Sequence, residues 1–96
     1  MKQLSHVPIT VKVLYEEDAK DAPYVAYIPE FDISSCGKTE AKAIQNVKEV
    51  LEITLVKVKS EGRLDEFLEE SGYPYTTSSA SMYPKIIIEQ FPFSFA

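Results

Sequence analysis

Residues 24–51, YVAYIPEFDISSCGKTEAKAIQNVKEVL, contain the pattern that decides the fold. Residues 24–28 are aromatic, β-branched or small, which predicts a strand that ends at Pro29. Residues 33–37 predict a short further strand. Thr39 is a favourable N-cap residue directly before a long segment with helical periodicity. The stretch therefore predicts the order strand, turn, strand, helix.

The predicted helix carries one apolar stripe. It extends from Thr39 toward Gly62, because no Gly or Pro interrupts the sequence between them. The stripe recurs at helical spacing and consists of Ile44, Val47, Leu51, Thr54, Leu55 and Val58, with Ala43 and Val50 widening it. Ile53 and Val56 lie outside the stripe, on the polar side. Two apolar residues there indicate either a contact with another subunit or ordinary exposed positions.

Further elements are predicted on both sides of this stretch. Residues 7–15 alternate apolar with polar side chains, which predicts a half-buried strand that forms a hairpin with residues 24–28. Residues 64–70 have the spacing of a short helix, and Gly72 is placed to end it. Residues 85–90, KIIIEQ, predict a last strand that returns parallel to an earlier one.

The resulting order β-β-β-α-(short α)-β predicts an α+β fold, a two-layer sandwich with one long helix packed on a mixed sheet. The 96 residues are enough for one small domain, spanning 1–96. Residues 73–84 lack periodicity and predict a long loop. Residues 91–96 predict an aromatic tail, which Pro92 confines to a sheet edge or beyond.

The charge balance limits the possible partners. The chain has 10 Lys and Arg against 15 Asp and Glu, a net charge of −5. This excess disfavours direct binding to a nucleic-acid backbone and suits a basic protein partner. A single cysteine excludes an internal disulfide framework and a cysteine-based zinc site. No apolar run has the length of a signal peptide or membrane span, so we expect a soluble, cytoplasmic domain.

Motifs for catalysis or nucleotide binding are weak. Residues 37–39, GKT, match the end of a phosphate-binding loop, but the first Gly of that loop would fall on Asp32, which repels phosphate. His6 and Cys36 are the one combination available for a nucleophilic pair. His6 lies in the polar N-terminal leader, however, whereas Cys36 lies at the end of a predicted strand. We expect Thr39 to be a helix cap and Cys36 a small buried residue. We expect no enzymatic activity, no cofactor and no metal.

Carboxylates form two clusters, one in the hairpin connection and one on the outer face of the short helix. The candidate partner-binding residues are Glu16, Glu17, Asp18, Asp65, Glu66, Glu69 and Glu70. Their alternative role is a solvated surface. A hydrolytic metal site is disfavoured, because metal-binding carboxylates would have to converge at inward strand positions.

Apolar residues outside the predicted core indicate self-association. The candidate oligomer interface consists of Ile53, Val56, Phe91, Phe93 and Phe95. The three phenylalanines alternate with small residues, so they either pack on their own sheet or add as a strand to a neighbouring subunit. We expect a homo-oligomer.

Residues 24–51 resemble the HicB family of antitoxin-like proteins. The features that carry the resemblance are Tyr24, Pro29-Glu30, Cys36, the Gly-x-Thr of residues 37–39, Glu40-Ala41, and the helical Ile44, Val47 and Leu51. With the preceding strand they cover about half of the chain. Ser35 stands where the family usually has Gly, and Lys38 where an acidic residue is frequent. The fuller members' C-terminal DNA-binding module has no counterpart here, so the chain resembles a short form.

The resemblance implies a degenerate RNase H-like fold without catalytic carboxylates. It also implies a function, which is to bind and neutralise a small basic ribonuclease toxin of the HicA type. The resemblance does not imply the promoter binding of the fuller family members, because this sequence offers no basic helix for it. Two alternatives remain open: an orphan HicB-like domain that only self-associates, and a metal-dependent nuclease on the same fold.

Overall fold

The computed structural model describes residues 7–73 and 86–95. Three strands are followed by two helices, which confirms the predicted order for this part of the chain. The elements are β1 (Lys12–Tyr15), β2 (Tyr24–Ile28), β3 (Ile33–Gly37), α1 (Glu40–Ser60) and α2 (Leu64–Glu70). The fold is therefore of the α+β class, as the sequence predicts.

The sheet has the strand order β1-β2-β3, and both pairings are antiparallel. Tyr24, at the start of β2, lies opposite Tyr15 on one side and Gly37 on the other, while Ile28 lies opposite Ile33 at the far end. β1 begins only at Lys12, so the predicted strand over residues 7–15 is too long at its N-terminal end.

The predicted mixed sheet with a last strand at residues 85–90 is wrong for the residues that the structure describes. Residues 86–90 form no strand. Ile86, Ile87 and Ile88 have the composition of a strand, but strand structure requires a neighbouring backbone to pair with, and this segment has none within the described part of its own chain. The isoleucine side chains are consequently exposed.

Helix α1 covers one face of the sheet. Side chains alternate along β2, so Ala26 and Ile28 face α1 and are fully buried, while Val25 and Tyr27 point to the opposite face. On α1 the predicted stripe is confirmed: Ala43, Val47 and Leu51 complete this core. In the part of the chain that the structure describes, one sheet face is thus buried and the other is open.

The close approach of α1 to β3 depends on Gly37. A Cβ atom at this position would lie 2.5 Å from the backbone N of Ala43, closer than atoms can pack. The first turn of α1 therefore rests directly on the end of β3. Thr39 caps the helix as predicted, since its Oγ1 accepts a hydrogen bond from the Lys42 N–H at 3.1 Å.

Gly72 ends α2 and returns the chain to the core. It has a φ of 90°, which a residue with a side chain rarely adopts. Its N–H bonds to the carbonyl of Glu69, and the Tyr73 N–H bonds to the carbonyl of Leu68. These two bonds form a Schellman motif. They direct Tyr73 inward, where it is 1% exposed.

Tyr73 completes a stack of three aromatic rings. The ring of Phe31 stacks with those of Phe67 and Tyr73, at centroid distances of 5.7 and 5.1 Å, and all three are nearly parallel. The predicted loop 73–84 therefore begins with a core residue, and residues 74–84 lie outside the described part of the chain. The stack joins α2 to the turn between β2 and β3.

Among the described residues, none of the helices has the length and apolar character needed to cross a membrane.

Candidate protein-binding surfaces

The outer face of α2 carries the denser acidic cluster. Phe67 and Leu68 pack toward the core, while the carboxylates point outward and are exposed; these are Asp65, Glu66, Glu69 and Glu70. Residues 61–70 contain five acidic residues against one basic residue, a local net charge of −4. The structure therefore places all four predicted α2 residues on one accessible surface, hereafter the α2 acidic surface.

Arg63 is the one basic residue within residues 61–70. Its guanidinium donates to Glu61 at 2.7 Å, and this is the one ion pair within residues 7–73 and 86–95. The hydrogen bond and the charge of Glu61 raise the pKa of Arg63, and the charges of Glu66 and Glu70 add to the effect. The charge of Arg63 is balanced by Glu61, with which it pairs. The four remaining carboxylates have no such counterion within residues 61–70, so the surface stays strongly negative.

The second acidic cluster lies in the turn between β1 and β2. Glu16, Glu17 and Asp18 are all exposed. The backbone N–H of Glu16 donates to the carbonyl of Pro23 at 2.6 Å, which closes the turn and holds the three residues at its outer side. We call this group the β1–β2 acidic turn.

The two clusters lie at opposite ends of the sheet. The β1–β2 acidic turn follows Tyr15, which pairs with the first residue of β2. The α2 acidic surface is anchored by Phe67 to Phe31, which lies beyond Ile28, the last residue of β2. The five residues of β2 separate the two ends by about 13 Å. The structure thus does not bring the predicted acidic residues together into one site.

The sheet face opposite α1 is open and carries an apolar row. Leu14, Val25 and Cys36 lie side by side across the three strands. Leu14 is 53% exposed, and the Cys36 thiol is free and exposed. The expectation that Cys36 is buried is therefore wrong. Alternation along β3 turns Ser35 toward α1 and Cys36 toward the open face.

Glu30 is a structural carboxylate that sequence reasoning missed. Its two oxygens accept hydrogen bonds from the backbone N–H and the hydroxyl of Thr10, at 3.0 and 2.6 Å. Burial on its own would raise the pKa of Glu30, but the hydrogen bonds from Thr10 outweigh burial and lower that pKa. No local sequence signal links two residues twenty positions apart, so only the fold reveals this contact.

The start of α1 does not form a phosphate-binding loop. Residues 33–37 form strand β3, whereas a phosphate-binding loop would have to wrap around its ligand there. A shallow cavity of about 580 Å³ nearby is lined by Cys36, Lys38 and Lys42, among others. His6, the other half of the nucleophilic pair considered above, lies outside the described residues. Within residues 7–73 and 86–95, no three His, Cys, Asp or Glu side chains are grouped as metal ligands.

The apolar residues predicted for self-association are exposed. Ile53 and Val56 on α1 are 68% and 61% exposed. Phe91, Phe93 and Phe95 are 84%, 66% and 94% exposed, and the rings of the last two contact each other edge to face at 4.9 Å. All five side chains are thus available to a partner.

Comparison of the chain with protein-family models, with curated proteins and with solved structures finds no match.

Proposed function

We propose that this chain is a HicB-like antitoxin-type protein that neutralises a small, basic ribonuclease toxin by direct contact. The proposal includes a degenerate RNase H-like fold in which the sheet supports binding rather than catalysis. The observation that carries it is the α2 acidic surface, where four exposed carboxylates face solvent within a segment of net charge −4.

The physical role of the motif residues supports the family assignment that the proposal makes. The Gly of the Gly-x-Thr motif is Gly37, where any side chain would collide with α1. The Thr is Thr39, which caps that helix. Both residues therefore maintain the strand-to-helix junction. A motif that stabilises the fold places no constraint on the residues of the surface. This suits a family of binding proteins, whose members differ in the partner that they bind.

The charge distribution supports the proposed partner. A ribonuclease must attract the phosphate backbone of RNA, so its active face is basic. An acidic protein surface accelerates encounter with such a face and occupies the region that RNA needs. Carboxylates that are exposed and unneutralised lose little solvation when they meet arginines and lysines at an interface rim.

The proposal is tested by isolating the partner and assaying it. Tagged full-length protein is used to capture binding proteins from its native lysate, and a stoichiometric basic chain of fewer than about 100 residues is expected, the size of one small domain. The captured chain, expressed alone, should cleave RNA, and one equivalent of this protein should stop cleavage. Recovery of this protein alone, or of a partner without ribonuclease activity, would contradict the proposal.

A matched variant makes the inhibition assay specific. Replacing Asp65, Glu66, Glu69 and Glu70 by their amides keeps the size of each side chain and removes four negative charges. We expect this variant to inhibit the ribonuclease much less than the parent protein at low salt. Equal inhibition would show that the α2 acidic surface is not the contact.

Self-association as the whole function is the second candidate, and the exposed Ile53 and Val56 favour it. On this alternative the protein forms a defined oligomer and binds no ribonuclease. The capture experiment separates the two candidates, because only the antitoxin proposal requires a second protein that cleaves RNA.

A further inference from the structure

Residues 86–95 form an apolar segment that pairs with no strand in the described part of its own chain. Its six large apolar side chains are all exposed: Ile86, Ile87, Ile88, Phe91, Phe93 and Phe95, at 39%, 63%, 90%, 84%, 66% and 94%. Contiguous exposed apolar surface of this density marks an interaction site in a protein. We call residues 86–95 the C-terminal apolar segment.

The same chain offers an unoccupied sheet edge. Within residues 7–73 and 86–95, β1 pairs with β2 on one side only, so its other side is a free edge in this part of the chain. The Glu16 N–H bonds to Pro23, and hydrogen-bonded positions alternate along an antiparallel pair. Leu14 therefore directs its backbone groups toward β2, and Val13 and Tyr15 direct theirs outward. These outward N–H and C=O groups are a template for another strand.

Exposed apolar side chains mark this edge as an acceptor. Within residues 7–73, the large apolar side chains that are more than half exposed are Leu14, Tyr15, Ile53 and Val56. Two of these four lie on the four-residue strand β1. The opposite edge, at β3, is partly occupied, because the Asn46 side chain donates to the Cys36 carbonyl at 2.8 Å. The free edge of β1 is thus the better site for strand addition.

We propose that two copies of this chain form a symmetric dimer in which the C-terminal apolar segment of each copy adds as a strand to the β1 edge of the other. Phe91, Phe93 and Phe95 alternate with Pro92 and Ser94, so in an extended chain the three rings fall on one face. The segment becomes the new outer strand, where the missing N–H of Pro92 faces solvent and breaks no ladder.

The occupant is a second copy because both complementary surfaces belong to one sequence. When each copy gives its C-terminal apolar segment to the other, every β1 edge pairs with one segment and every segment with one edge. No unpaired edge or segment is left, so the assembly closes after two subunits. The area is also sufficient. Three phenylalanines bury about 150–250 Å² each, or roughly 900–1,500 Å² for two copies before the isoleucines and the covered edge are added. A stable interface buries about 1,600 Å² in total.

The dimer is tested by measuring mass and dissociation constant on the full 96-residue chain. Light scattering should give twice the monomer mass of 10.8 kDa. The F91S/F93S/F95S variant should weaken dimerisation by at least roughly 100-fold in sedimentation equilibrium, since it removes both sets of anchoring rings. The matched control I53S/V56S, which removes two exposed apolar residues from α1, should change the dissociation constant less than about threefold.

A second pair of variants tests the acceptor edge. Tyr15→Pro removes an outward N–H from the β1 edge, and Leu14→Lys charges the same edge while leaving every backbone group in place. Each should weaken the dimer by at least about tenfold. Far-UV circular dichroism should remain that of the parent. If Tyr15→Pro fails this folding check, Leu14→Lys alone decides.

Several outcomes would overturn the dimer proposal. A monomeric parent protein at 100 µM, about the upper end of ordinary assay concentrations, would show that the segment has another occupant or none. An unchanged dissociation constant in the phenylalanine variant would remove the segment from the interface. Strong weakening by I53S/V56S would assign the interface to α1 instead, and unaffected dimerisation in the folded edge variants would exclude β1. None of these outcomes bears on ribonuclease binding, so the two proposals fail independently.

Discussion

The hydroxyl of Tyr73 donates a hydrogen bond to the backbone carbonyl of Pro8, sixty-five positions earlier in the chain. This bond joins the residue that follows α2 to the segment that precedes β1. Burial, assisted by the negative charge of Glu30, raises the pKa of Tyr73 to about 12. The hydroxyl therefore remains protonated and able to donate throughout the physiological pH range.

We expect Tyr73→Phe and Tyr73→Ala to separate the hydrogen bond from the ring stack. Phe keeps the stack on Phe31 and removes only the hydrogen bond, so it should lower the free energy of unfolding by about 1 kcal/mol. Ala also empties the ring's place in the core and should lower it by about 3–5 kcal/mol. Urea denaturation measures both. Equal losses in the two variants would contradict a contribution from stacking.

The Gly37→Ala substitution should be unusually destabilising for the addition of one methyl group. The new Cβ would meet the backbone at Ala43, which cannot rotate away as a side chain can. Overpacking of this kind costs about 1–3 kcal/mol, and we expect the upper end because helix α1 has to move as a whole. Thermal unfolding measures the loss. Ser34→Ala, at an exposed position of the same strand, is the control and should be nearly neutral.

Thr39 should contribute to stability through its hydroxyl alone. Thr39→Ala removes the acceptor for the Lys42 N–H and should lower the free energy of unfolding by about 1 kcal/mol. Thr39→Ser retains the oxygen and should be close to the parent protein. Denaturant unfolding distinguishes the two, and a Ser variant as unstable as the Ala variant would show that the methyl group matters instead.

Glu30 should make stability depend on pH in the acid range. Because its folded pKa lies below the ordinary value of 4.5, its contribution is complete above that value and is lost as the pH falls through the lowered pKa. Thr10→Val removes the hydroxyl that lowers the pKa, so unfolding midpoints measured from pH 6 to pH 3 should fall less steeply. Thr10→Ser keeps the hydroxyl and should retain the parent slope; a Val variant with that same slope would contradict the prediction.

Charge reversal should identify which acidic cluster meets the ribonuclease. The clusters occupy opposite ends of the sheet, so each can be replaced while the other stays unchanged. We expect replacement of Asp65, Glu66, Glu69 and Glu70 by Lys to abolish measurable binding in a titration at low salt. The Glu16→Lys, Glu17→Lys and Asp18→Lys combination serves as the control and should change affinity only slightly. The reverse result would move the contact to the β1–β2 acidic turn.

Local patterns were sufficient to predict most of the fold. The N-cap at Thr39, the apolar stripe of α1 and the glycine that ends α2 are signals within a few residues of one another. Each reflects backbone chemistry that depends little on the rest of the molecule. The hairpin of β1 and β2 could be predicted equally well, because alternating apolar and polar residues joined by a short polar connection indicate it.

The features that local patterns did not predict depend on contacts between residues far apart in the sequence. The burial of Tyr73 depends on Phe31, which belongs to another part of the chain, and the hydrogen bonds of Glu30 depend on Thr10. Residues 86–90 show the converse case, because strand composition did not produce a strand without a partner. The candidate acidic residues could be predicted as exposed, but their separation to opposite ends of the sheet required the register of β2.

The bond between Tyr73 and Pro8 also has a consequence for the order of events during synthesis. Contacts near in sequence close first, because a short loop loses less entropy than a long one. The β2–β3–α1 unit is complete once Ser60 has been added. Until Tyr73 emerges, residues 7–11 are held by the hydrogen bonds between Thr10 and Glu30 and by apolar packing on the core. The segment that precedes β1 is thus fastened in part by the last described core residue to be translated. A nascent chain that stops short of that tyrosine lacks the one described bond that ties Pro8 to the end of α2.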